Sequence, residues 1–150
     1  DIDTTKIGLA GASESGWLTP EIADRNSNLV FVINKVGPCL SWRETVAWEN
    51  YNEILAEDVS EQAAKEQIDV FQRLWAYYLA PNPDEKTALQ EVLAQWAGRD
   101  DSQLPEELTP TNSSYVQDIG YDPAPFLERQ TTPMLYVYGS EDVNVPTVNA

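Results

Sequence analysis

The chain has 150 residues, the size of one ordinary domain, and 42% of them are hydrophobic. With five Trp and seven Tyr this is ample for a folded core, so the composition argues against disorder. Nine basic against 25 acidic residues give a net charge of −16, which argues against nucleic acid and anionic membrane surfaces as partners. No apolar run approaches the roughly 20 residues of a membrane-spanning helix, and no signal-peptide pattern opens the chain. Cys39 is the only cysteine, so no internal disulfide is predicted and the cellular compartment stays undecided.

A short apolar run over residues 7–12 comes first, and it predicts a buried strand because polar residues do not alternate with apolar ones. The run ends in the pattern Gly11-x-Ser13-x-x-Gly16, after which a helix is predicted over residues 17–24. A serine in that context lies on a sharp strand-to-helix turn with its hydroxyl above the sheet edge. Gly11 leaves room beside the turn, and Gly16 lets the helix pack closely against its neighbours. An ordinary Gly/Ser turn without chemistry gives the same pattern.

A second apolar run over residues 29–34 predicts a central parallel strand, so that strand, helix and strand form a right-handed βαβ unit. The periodicity then becomes helical, and residues 41–97 are predicted to form three helices. Ser60 is a capping residue for the second helix, Asn82-Pro83 is a start signal for the third, and Gly98 is a stop signal for the third. The four tryptophans of this region pack the helices together or line an apolar pocket; they are Trp42, Trp48, Trp75 and Trp96.

Residues 99–114 are acidic and rich in Pro, Ser and Thr, which predicts a surface loop. Their carboxylates lack the order of a calcium loop, and the chain predicts no metal site and no cofactor. A third buried strand is predicted over residues 134–138, followed by Asp142 in a loop. Aspartate is common at such strand ends for purely structural reasons.

The elbow sequence Gly11-Ala12-Ser13-Glu14-Ser15-Gly16-Trp17 resembles the α/β-hydrolase superfamily, near the dienelactone-hydrolase-like and prolyl-oligopeptidase-like serine hydrolases. The stretch Gly139-Ser140-Glu141-Asp142 is similar to the G-x-x-D that follows a late strand in that family. The resemblance implies that Ser13 is the nucleophile, that the backbone N–H of Glu14 is an oxyanion-hole donor, and that Asp142 is the triad acid, with Glu141 as its local rival. It also implies an ester or peptide substrate and a helical cap over the active site. Ser15 departs from the pattern, since the family more often has glycine or alanine there.

The chain contains no histidine, so a Ser-His-acid triad cannot be completed within these residues. The resemblance therefore implies an internal to C-terminal fragment of a larger hydrolase, inactive by itself. We expect an α/β fold with three parallel strands and a helical cap insertion, in three parts: an elbow unit (1–40), the cap and its loop (41–114), and a return to the hydrolase core (115–150). Ser13 and Asp142 are expected on neighbouring strand ends at the carboxyl edge of the sheet. Unpaired sheet edges predict self-association. The alternative function is a non-catalytic fragment or binding module on the same scaffold.

Overall fold

A computed structural model describes residues 3–146. In chain order the elements are a 3-10 helix at Thr4–Lys6, β1 (Leu9–Ala12), α1 (Ser15–Asp24), β2 (Val32–Lys35), α2 (Trp42–Ala56), α3 (Glu61–Leu79), α4 (Pro83–Trp96), α5 (Ser113–Ile119), α6 (Ala124–Leu127) and β3 (Met134–Val137). The chain divides into two compact units. Residues 42–121 form the helical unit, and the described residues on either side of it form the sheet unit. The division falls at 41/42 and 121/122, so α5 belongs to the helical unit.

The sheet unit contains three parallel strands in the order β1-β2-β3. Leu9 pairs with Val32, and Val32 pairs with Met134, so the three strands start in register and end at the same edge. Helix α1 packs on β1 and β2, and α6 packs on α1. The predictions of a mixed α/β fold and of three adjacent parallel strands are confirmed.

Burial along the strands differs from the prediction of fully buried strands. Val32 and Asn34 of β2 are buried, whereas Ile33, Leu135 and Val137 are 38%, 56% and 46% exposed. The prediction was wrong on this point because α1 is the one described helix of the unit that packs closely on the strands, and it covers a single face. Within the described residues, β1 and β3 each form backbone hydrogen bonds with β2 along one side and with no strand along the other. Self-association through these edges stays a prediction.

The helical unit begins and ends its helices at the predicted signals. Ser60 Oγ accepts a hydrogen bond from the N–H of Ala63 at 3.2 Å, and Asn82 Oδ1 accepts from Asp84 and Glu85 at 3.0 Å each. Gly98 follows α4 with a φ of 74°, the left-handed conformation that ends many helices. Helix α5 was not predicted, because its Ser- and Asn-rich start resembles a loop. No helix in the described part of the chain is long and apolar enough to cross a membrane.

The core of the helical unit lies between α3, α4 and the segment that follows α4. Its buried members are all apolar, and they are Val70, Leu74, Leu89, Leu93, Trp96 and Leu104. Leu104 comes from the segment predicted as a surface loop, so that segment is partly anchored in the core. Burying such side chains stabilises the fold by about 1.5–3 kcal/mol each, before conformational entropy is subtracted.

Candidate nucleophile site

Ser13 occupies a tight turn between β1 and α1. Its φ of 53° lies in the left-handed region, which costs a residue with a Cβ roughly 1–2 kcal/mol. The N–H of Ser13 still donates to the carbonyl of Lys35 at 3.0 Å, and its carbonyl accepts from Gly16 at 2.8 Å. The backbone therefore leaves the sheet ladder and enters the helix within one residue. Strain of this kind at a strand-to-helix turn is typical of a functional residue held by its surroundings.

The Ser15 side chain stabilises this turn through two hydrogen bonds. Its Oγ accepts from the N–H of Ala12 and donates to the carbonyl of Ala12, both at 2.6 Å. A glycine or alanine at this position would leave both backbone groups of Ala12 without these partners. The Ser15 hydroxyl therefore has a local structural role in this turn, three residues from its partner Ala12.

Two glycines allow the close contacts around the turn, as the sequence predicts. A Cβ on Gly11 would lie 2.8 Å from both Ser15 Oγ and Thr19 Cγ2. A Cβ on Gly16 would lie 2.2 Å from the Cα of Gly37, a backbone atom that cannot rotate away. Helix α1 therefore starts in direct backbone contact with the loop that leaves β2. Gly37 was not predicted to take part in this contact.

The hydroxyl of Ser13 and the N–H of Glu14 are both available to a ligand. Ser13 is exposed, and its Oγ makes no hydrogen bond to any described residue. Glu14 immediately precedes α1, and its N–H likewise has no acceptor among residues 3–146. Backbone N–H groups at a helix start carry partial positive charge and favour an anion. A negative charge developing next to Ser13 would meet such a donor.

Asp142 lies in the loop after β3, at the same carboxyl edge of the sheet as Ser13. Its Oδ1 accepts from the N–H groups of Asn144 and Val145, at 3.0 Å each, so one oxygen holds the loop. Its other oxygen makes no hydrogen bond within the described residues. Glu141 beside it is exposed and makes no such contact. This geometry favours Asp142 over Glu141 as a fixed carboxylate.

The two residues are not on neighbouring strands, and this part of the prediction was wrong. Strand β2 lies between β1 and β3, so the strands that lead to Ser13 and Asp142 are two strand spacings, roughly 10 Å, apart. An imidazole with a hydrogen bond at each end spans roughly 8 Å between its two partner atoms.

The loop above β2 is held in an unusual conformation. Val36 has a φ of 46°, which is rare for a β-branched residue, and its N–H donates to the carbonyl of Val137 at 2.7 Å. Tyr138 Oη donates to the carbonyl of Gly37 at 2.8 Å. Burial, and then the neighbouring Cys39 thiol, raise the pKa of Tyr138, so the phenol stays protonated as a donor. These contacts fix the loops after β2 and β3 against each other.

Thr19 and Asn34 form a buried polar pair between α1 and β2. Thr19 of α1 donates through Oγ1 to Asn34 Oδ1 at 2.6 Å, and both residues are almost completely buried. Asn34 Nδ2 and the hydroxyl of Tyr136 have no hydrogen-bond partner among the described residues. Burial raises the pKa of Tyr136, and the nearby Asn34 side chain lowers it by a smaller amount. Thr19 and Asn34 were not predicted to be buried, since nothing local in the sequence distinguishes them from surface polar residues.

Comparison of the chain with protein-family models, curated proteins and solved structures found no match. The resemblance to the α/β-hydrolases therefore depends on the residues of this chain alone. The described residues hold no group of three or more His, Cys, Asp and Glu side chains arranged to bind a metal ion.

We expect Ser13→Gly to be more stable than Ser13→Ala by about 1 kcal/mol, because only glycine adopts a positive φ without cost. Both variants remove Oγ, so the comparison isolates the backbone. Amide hydrogen exchange across β1 and β2 should then be about fivefold slower in Ser13→Gly. Ser140 lacks a positive φ, so Ser140→Gly should be no more stable than Ser140→Ala. Equal exchange in the two Ser13 variants would mean that the turn is not strained.

Proposed function

We propose that this chain carries the nucleophile and the acid of a serine hydrolase of the α/β-hydrolase type, acting on an ester or peptide bond through an acyl-enzyme on Ser13. The observation that carries the proposal is the positive φ of Ser13 between a parallel strand and a helix. A structural Gly/Ser turn has no need of a strained serine when glycine costs less. Here the strained residue also has an uncommitted hydroxyl.

In the proposed reaction, Ser13 Oγ attacks the substrate carbonyl carbon while a base takes the hydroxyl proton. The tetrahedral intermediate places its negative oxygen against the N–H of Glu14. The protonated base then gives its proton to the leaving alcohol or amine, and water repeats the sequence to release the acid. Asp142 orients the base and stabilises its charged form through the oxygen that does not hold the loop.

The base comes from outside these 150 residues in this proposal, because the chain has no histidine. The second oxyanion donor belongs to the same missing part. The helical unit is proposed to be the cap of the active site. The chain by itself is proposed to be inactive, and its sheet edges to favour self-association.

Hydrolysis of p-nitrophenyl acetate with and without added imidazole tests the proposal. Without imidazole we expect no turnover above the rate in buffer. General-base assistance is worth roughly 10²–10⁴ in rate, and a diffusing imidazole recovers part of it. With imidazole, the wild-type chain should therefore exceed Ser13→Ala by about tenfold after subtraction of the imidazole-only rate. Equal rates for the two proteins would exclude Ser13 as the nucleophile, and robust turnover without imidazole would show that the chain contains a base.

The alternative is a non-catalytic binding module, and the observation that favours it is the absence of any histidine. Under this alternative the strained turn is a remnant of the scaffold. The imidazole experiment separates the two, since a binding module gives no difference between wild type and Ser13→Ala.

A further inference from the structure

The helical unit contains an open cleft of about 520 Å³ between α3 and the segment of residues 103–112, here called the α3 cleft. This volume is in the range of small-molecule sites. Phe71, Trp75 and Tyr78 enter it from α3 at three- and four-residue steps, and Tyr115 enters it from α5. One wall is thus aromatic. Pro105 and Pro110 belong to the opposite wall.

The cleft is built by two attachments of its outer segment to α3. Gln67 is fully buried; its Nε2 donates to the carbonyl of Asp101 at 2.8 Å, and its Oε1 accepts from the N–H of Gln103 at 2.7 Å. Further along α3, Tyr78 Oη donates to the carbonyl of Thr109 at 3.2 Å. Between these points Leu104 packs in the core of the helical unit, and Pro105 and Thr109 border the cleft. A second recess of about 320 Å³ shares Tyr78, Thr109 and Pro110 with this cleft.

The chemistry of the lining is neutral and amphipathic. Phe71, Tyr78 and Tyr115 are half-buried, so part of each ring remains accessible. The side chains of Gln103 and Thr111 make no hydrogen bond to any described residue and so offer unused donors and acceptors. No charged side chain is among the described residues that line the α3 cleft, although 34 of the 150 residues, nine basic and 25 acidic, are charged.

We propose that the α3 cleft binds a neutral carbohydrate. A sugar ring presents an apolar C–H face, which packs on the negative face of an aromatic ring, and hydroxyl groups, which bond to amides and hydroxyls at the rim. A purely apolar ligand would leave Gln103 and Thr111 unused. A cationic ligand would find aromatic rings without a carboxylate beside them. The proposal is independent of the chemistry at Ser13.

Isothermal titration of the whole chain with neutral hexasaccharides of glucose and xylose tests this site. We expect at least one of them to bind with a Kd of about 1 mM or tighter. Gln103→Ala and Thr111→Val should each weaken binding about fivefold, the usual effect of one lost hydrogen bond. Phe71→Leu should weaken it about tenfold through loss of the stacking surface. Circular dichroism of each variant confirms that it is folded.

Gln90→Ala is the matched control, because Gln90 is an exposed glutamine on α4 that does not line the cleft. It should bind like wild type within about twofold, and so should Ser13→Ala, whatever its effect on hydrolysis. Absence of binding by the folded wild-type chain at ~10 mM sugar would overturn the proposal. Binding of benzyltrimethylammonium in place of sugars, or an equal loss in Gln90→Ala, would overturn it as well.

Discussion

Replacing Gly16 by alanine is expected to destabilise the sheet unit by about 3 kcal/mol. The added methyl group would lie 2.2 Å from the Cα of Gly37 and 2.6 Å from its carbonyl carbon. Neither atom belongs to a flexible side chain, so α1 or the loop after β2 must move. The better helix propensity of alanine recovers only about 1 kcal/mol. Amide hydrogen exchange should therefore accelerate roughly 100-fold across β1 and β2.

Gly139→Ala is the control for this experiment, because Gly139 follows β3 in the same unit and a Cβ there meets nothing within 4 Å. We expect its exchange rates to match wild type within a few-fold. Exchange in α3 and α4 of the helical unit should not change in either variant. Wild-type exchange in a folded Gly16→Ala protein would mean that the backbones of α1 and the β2 loop do not touch, which would remove the physical basis of the turn.

Much of the fold could be predicted from the sequence because its signals are local. Three apolar runs bounded by Gly, Pro or Asn predicted the strands, and their pairing confirmed the parallel sheet. Ser60, Asn82 and Gly98 marked helix ends through chemistry that acts within three residues. The shared edge of Ser13 and Asp142 followed from topology alone, since parallel strands end on one side.

The features of the fold that could not be predicted depend mostly on contacts between residues far apart in the sequence. The exposure of Ile33 and Leu135 is set by how many helices cover the sheet, which an apolar run does not reveal. The position of β2 between the strands that lead to Ser13 and Asp142 likewise depends on the strand order of the whole sheet. The contact of Gly16 with Gly37 joins the first turn of α1 to the loop after β2, and no local pattern in the sequence identifies Gly37 as the partner. Helix α5 was missed because Ser and Asn at its start also favour turns.

We propose that Ser13 is a nucleophile. The most direct test is to identify the residue that a fluorophosphonate modifies covalently. In this reaction Ser13 Oγ displaces fluoride from phosphorus, and its proton passes to added imidazole. The Ser13 hydroxyl has no hydrogen-bond partner among residues 3–146, and in the proposed mechanism the N–H of Glu14 stabilises the developing negative charge. Removing a single oxyanion donor of this kind costs roughly 10²–10³ in rate, so surface serines without one should react far more slowly.

The measurement is peptide mapping by mass spectrometry of the labelled chain, beside Ser13→Ala and Ser140→Ala. Ser140 is an exposed serine in the loop after β3, and it provides a matched hydroxyl without the strained turn. We expect the adduct on Ser13 in the wild type and in Ser140→Ala, and its complete loss in Ser13→Ala. Label spread evenly over the exposed serines, or unchanged in Ser13→Ala, would contradict the assignment of Ser13.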